Sequence, residues 1–113
     1  MLPGWLLRDG EVVAAAEWAE EFSDRARGML GRRSYEGAMI LPGTRSVHTL
    51  FVQFPLDVAF LDRDLVVLDT CRVVPHRITM PRRGGRTVLE AASGSFEQWV
   101  LRVGDHLEFR RTP

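Results

Sequence analysis

The sequence predicts a mainly β fold of the α+β type: one compact antiparallel β-sheet, or barrel-like domain, with one or two short helices. Three observations predict it. The run from Arg45 to Leu61 has a single acid, Asp57, and carries apolar residues on both alternating sets of positions, as strands buried on two faces do. Runs rich in branched residues are separated by the turn pairs Asp9-Gly10, Pro42-Gly43 and Gly104-Asp105. Helix-start signals are confined to two short segments, near Ser23 and Ser95.

Taken in order, Trp5 to Arg8 and Glu11 to Trp18 flank Asp9-Gly10, a pair that favours the type I′ turn, so the chain opens on a β-hairpin whose second strand is weakened by Ala14 to Ala16. Ser23 is the expected N-cap of a helix of about two turns, with Ala26, Met29 and Leu30 on its apolar side and Gly31 at its stop. Gly28 inside that helix costs roughly 1 kcal/mol relative to alanine and suggests the close passage of another backbone. Ala38 to Leu41 reads as a strand. Pro55 cannot donate to a sheet ladder and divides the central run into two strands, the second from Leu56 to Leu61. Asp62-Arg63-Asp64 is a break of hairpin length before a strand from Leu65 to Val74. Arg77 to Arg86 is a loop, Thr87 to Ala92 a strand, Phe96 to Leu101 a helical turn with Ser95 and Gln98 at capping-box spacing, and His106 to Arg110 the last strand.

The 113 residues have the size of one domain, residues 1–113, large enough to bury a core without metals or disulfides. Acids and bases balance at 15 each, which argues against a nucleic-acid partner. No apolar run approaches the roughly 20 residues that span a bilayer, and no basic segment leads into a long apolar one, so a cytoplasmic protein with no membrane partner is expected. Every basic residue is arginine and asparagine is absent, which excludes lysine Schiff-base chemistry, a phosphate-loop lysine and N-glycosylation. A G+C-rich coding bias produces the same pattern, so the arginine excess by itself indicates no function.

Asp57 is the leading candidate for a site, because an unpaired carboxylate among apolar strand residues is costly and needs a partner. Arg27, Arg32 and backbone amides near Pro55 are the expected partners, in a structural ion pair or as the polar anchor of a ligand pocket shared with His48. Arg82, Arg83 and Arg86, around Gly84-Gly85, form a candidate anion-binding loop, expected to act weakly and by charge alone. Cys71, the single cysteine, lies in a strand pattern that disfavours a thiolate, and no His, Cys or acid pair has the close spacing of metal ligands. No catalytic residue, metal or cofactor is therefore assigned.

Five segments in order, SDRARGMLGR at 23–32, GAMIL at 37–41, FPLDVAFLDRD at 54–64, VLEAASG at 88–94 and VGD at 103–105, resemble the domain of unknown function 192 family over about residues 11–110. The resemblance implies a small, mainly antiparallel β fold with one or two short helices and no established activity. Arg27, Gly28, Pro55 and Asp57 match the family pattern. The family's usual aromatic-Trp-Met-Lys-Asn-Thr segment is replaced here by Val47, His48, Thr49, Leu50, Phe51 and Val52, so a site lined by those polar residues in other members is reduced to His48 and Thr49.

The resulting expectation is a non-enzymatic β-rich domain that binds a small polar or anionic ligand in a cleft lined by Arg27, His48, Thr49 and Asp57. The alternatives are a hydrolase with His48 and Asp57 as an acid–base pair, and an interaction subunit that uses exposed Leu50 and Phe51.

Overall fold

A computed structural model describes all residues, 1–113. Seven strands form one mainly antiparallel sheet: β1 (Leu2–Arg8), β2 (Glu11–Trp18), β3 (Ala38–Pro42), β4 (Leu56–Leu61), β5 (Val67–Val73), β6 (Thr87–Ala92) and β7 (Leu107–Arg111). Two short helices, α1 (Phe22–Arg27) and α2 (Ser95–Trp99), complete the fold. The strand order is β5-β4-β6-β3-β2-β1-β7. One pair, β2 with β3, is parallel, because α1 and the segment after it carry the chain back to the start of the next strand. The sheet curls until its two edge strands meet at one corner, where Val67 N–H donates to the Asp105 carbonyl and Leu107 N–H to the Leu65 carbonyl. They touch only at this bridge between Val66 and His106, so the barrel is not closed.

Apolar side chains fill both faces. One face packs Leu6, Ile40, Ala59, Leu61, Val67 and Leu89 against Phe96 of α2 and Leu101. The other packs Met39, Leu56, Val58, Phe60 and Val88 beneath Met29, Val47 and Val52. Side chains alternate along each strand, so neighbours in register share a face. The row Glu17, Met39, Glu90, Val58, Cys71 crosses five strands on the second face. Asp57, opposite both Arg72 and Ala91, lies on the first.

Local expectations fail where long-range contacts supply the missing hydrogen bonds. Arg45 to Phe54 is not a strand but a loop that alternates buried Val47, Thr49 and Val52 with exposed His48, Leu50 and Phe51. Its apolar residues cover the sheet instead of joining it. It pairs with the loop after β5 through an isolated bridge between His48 and Ile78 and through Thr79 N–H to the Val47 carbonyl, and Phe51 turns the chain at φ 62°. β5 starts at Val67 because Leu65, at φ 63°, belongs to the preceding turn. Ser23 is inside α1, whose N-cap is Glu21 without a side-chain bond, and the helix ends at Gly28 rather than Gly31. The Ser95–Gln98 capping box does not form, since Gly94 occupies the N-cap of α2 and Asp57 reaches in from β4 to accept that turn's amides. No helix is long and apolar enough to cross a membrane.

Candidate functional site

The predicted site residues divide between the two faces of the sheet. Asp57, 6% exposed, accepts hydrogen bonds through Oδ2 from the N–H of Gly94 at 2.9 Å and of Phe96 at 3.1 Å. Its other oxygen lies 3.5 Å from Nε of Arg72, the cross-strand neighbour. The expected partners Arg27 and Arg32 are not its partners: a carboxylate on β4 is served by the adjacent strand and by the helix that packs over its own face. Asp57 thus locks α2 to the sheet.

Thr49, fully buried, is also tied to backbone. Its hydroxyl donates to the Val74 carbonyl at 2.7 Å and accepts the Arg77 N–H at 2.9 Å, which fastens the 45–54 loop to the loop after β5. Arg82 is engaged as well: Nε donates to Asp69 at 2.7 Å, the Asp69 carboxyl is held below its ordinary range by that bond, and the guanidinium covers the Phe60 ring at 4.4 Å. Of the three arginines of the candidate anion-binding loop, Arg83 and Arg86 are exposed and make no ion pair.

Arg27 and His48 do come together, at the mouth of a cavity of about 50 Å³ on the second face. The turn after α1, through Gly28, Met29 and Leu30, forms one wall, and the 44–52 segment, with Thr44, Ser46 and Val47, forms the other. The volume admits roughly three or four water-sized groups. Its deepest polar group is one the sequence reading missed, Glu90 of β6, which lines the cavity at 3% exposure. Oε1 of Glu90 is buried with no hydrogen-bond partner. Burial pushes this carboxyl from its ordinary 4.5 up to about 7. The neighbouring bases are committed to backbone carbonyls, Arg25 to Glu20 and Arg27 Nε to Leu30, and do not pair with Glu90. Farther along the same face Tyr35 donates its hydroxyl to Glu17, and burial together with that bond raises the phenol. The signal in the sequence was a lone acid in the apolar stretch Val88 to Ala92, similar to the one that singled out Asp57.

Gly28 explains how the cover closes over Glu90. It has φ 49° and ψ −123°, and a Cβ there would stand 3.1 Å from Glu90 Oε1. Gly28→Ala is expected to cost roughly 1–3 kcal/mol through backbone strain and crowding of the carboxyl, read by urea denaturation. A loss under about 0.3 kcal/mol would mean that the turn relaxes freely.

Cys71 is half-buried on the exposed side of the row that contains Glu90, and burial pushes its thiol up while Arg82 offsets part of the effect. Labelling by a thiol reagent at neutral pH should be slow in the native protein and accelerate in denaturant, whereas fast native labelling would reveal an activated thiolate. No three His, Cys, Asp or Glu side chains converge on a common point.

The fold and this cavity define a class: small domains in which a curled, mainly β sheet is covered on one face by a helix–loop lid above a buried acid. This chain belongs to the DUF192 family, described as an uncharacterised ACR, whose family model matches residues 5–109. It is 33% identical over 106 residues to a UPF0127 protein of Pyrococcus furiosus, covering 89% of this chain and 91% of that one. A UPF0127 protein of Pyrococcus abyssi is 34% identical over 98 residues, 82% of this chain and 84% of its own. Among solved structures, a protein of unknown function from Novosphingobium aromaticivorans DSM 12444 matches with a TM-score of 0.75 at 24% identity, over 94% of this chain and 83% of that one. A Sinorhizobium meliloti 1021 protein, described as a candidate transcription regulator, matches with a TM-score of 0.79 at 24% identity, over 96% of this chain and 92% of that one. At that identity the likeness to both structures is one of fold.

Proposed function

We propose that this protein is a binding domain for a small polar ligand, held between the Gly28 turn and the 44–52 segment with Arg27 and His48 at the mouth. Glu90 takes the place of Asp57 as the polar anchor. The observation that carries this reading is the buried, unpartnered Oε1 of Glu90 against a cavity. An acid left without a partner destabilises the fold unless another molecule supplies the donor, and such groups concentrate at functional sites. The acid–base pairing of His48 with Asp57 is not favoured, because Asp57 faces α2 while His48 belongs to the cover over the opposite face. Two-dimensional amide NMR against a collection of small polar molecules tests the proposal. Binders should move Gly28, Ser46, Val47 and His48 and leave Gly94 and Phe96 in place. Binders confined to the Asp57 region, or none at all, would sink it.

A second reading, as an interaction subunit, is favoured by one observation: Phe51, Ile78 and Met80 are 74%, 71% and 74% exposed. They occupy two loops held together by Thr49. Self-association detected by sedimentation, and abolished by Phe51→Asp, would support this reading; a monomer at all concentrations would remove a second copy of the chain as the partner.

A further inference from the structure

We propose that the ligand of the Glu90 cavity is a compact zwitterion of the α-amino acid class, bound with its ammonium group inward on Glu90 and its carboxylate outward towards Arg27 and His48. This rests on the small-ligand reading of the same cavity. The charges that line it are ordered by depth. Glu90 is the only acid among the lining residues and is the buried one. The lining bases are Arg25, Arg27 and His48, of which Arg27 and His48 are exposed.

A ligand complementary to that order carries a hydrogen-bond donor with positive charge at its leading end and an anion at its trailing end. A simple anion would bring its charge towards Glu90, and a simple amine would meet two guanidinium groups on the way in. A zwitterion satisfies both ends.

The protein groups are placed for these roles. Glu90 Oε1 has no competing donor from the chain and packs against the Gly28 backbone, where a side chain would crowd it. Arg27 uses Nε on the Leu30 carbonyl, which orients the side chain and leaves its terminal nitrogens for a carboxylate. Thr44 and Ser46 add hydroxyls to the wall, able to accept from an ammonium or donate to a carboxylate. Leu41, Val47 and Val52 leave an apolar side for a small aliphatic substituent. With about 50 Å³ available, the cavity takes the ammonium end of the ligand, while the carboxylate and any side chain extend through the mouth.

The test is NMR titration of the intact protein with three probes: alanine, ethylamine and propionate. It is run at pH 8, where Glu90, raised to about 7, is mainly ionised. Glu17, Tyr35, Cys71, Arg25, Arg27, Arg32 and His48 are the charged or titratable groups around that face. Alanine should move Gly28, Ser46 and His48 with a Kd about tenfold tighter than either half-probe. Glu90→Gln should weaken alanine about tenfold and leave propionate unchanged, whereas Arg27→Ala should weaken alanine and leave ethylamine unchanged. Propionate binding as tightly as alanine, or Glu90→Gln retaining full alanine affinity, would overturn the zwitterion. If the three probes fail while other small molecules move the same amides, the ammonium assignment falls and the binding reading stands; if nothing moves them, both fall.

Discussion

Replacing Glu90 by glutamine should stabilise the protein by about 2–3 kcal/mol at pH 8 and by less than about 1 kcal/mol at pH 5. The folded carboxyl titrates near 7 against an ordinary value of 4.5, because burial disfavours the charged form. Between those pH values the folded chain holds a proton that the unfolded chain has released, so stability declines as pH rises through this window. It is greatest below 4.5 and the loss is complete above 7, where the shift corresponds to roughly 3 kcal/mol. Glutamine has the shape of the protonated acid and carries no charge, so it removes the decline. Its own unpartnered amide places the gain towards the lower figure. The groups on this face leave the sign intact: Tyr35 is itself raised and therefore neutral, and Arg25, Arg27 and Arg32 are bound to the carbonyls of Glu20, Leu30 and Gly28. Urea denaturation of both forms at the two pH values gives the answer. A glutamine variant no more stable at pH 8 would mean that the native carboxylate has found a donor. A residue that destabilises its own fold at neutral pH is what a ligand site retains in exchange for binding.

Asp57→Ala should lose about 2–4 kcal/mol, while Arg72→Ala loses under about 1 kcal/mol. The unequal effects follow from exposure. The Arg72 side chain is 59% exposed and its Nε stands 3.5 Å from the carboxylate, so water replaces most of that contact. The amides of Gly94 and Phe96 have no such substitute: Phe96 is buried, and both N–H groups point at Asp57 Oδ2. Asp57→Asn keeps one acceptor and should lose about half as much. Amide hydrogen exchange at Gly94 and Phe96 should accelerate with Asp57→Ala and stay near the native rate with Arg72→Ala. An Arg27→Ala variant as damaging as Asp57→Ala would restore the helix–sheet ion pair expected from the sequence. A loss below about 0.5 kcal/mol for Asp57→Ala would separate α2 from this carboxylate altogether.

How the two acids read in the sequence differs from how they act. Each is a single carboxylate in an apolar strand, and in sequence Asp57 stands out as the one acid of the run from Arg45 to Leu61. The sequence places His48, nine positions earlier, in the same expected pocket. The Pro55 break and the turn of Phe51 instead send His48 over the opposite face. Arg27 was found beside the cavity, yet the acid it accompanies is Glu90, brought there by the pairing of β6 with β3 and β4.

By itself the sequence determined the mainly β class, most strand positions, the two helical segments and the need for a partner at Asp57. Those follow from side-chain periodicity, turn chemistry and the cost of a buried charge, all of which act over a few residues. Only the tertiary structure decided that residues 45–54 form a cover rather than a strand, that α2 caps itself on a carboxylate of β4, and that Glu90 is left without a donor. Each depends on which distant groups meet: Thr49 with Val74 and Arg77, Asp57 with Gly94 and Phe96, Glu90 with Gly28. A hydrogen bond satisfied across 25 or 37 residues leaves no local periodic trace, and a buried acid is partnered or bare according to the lid that folds over it.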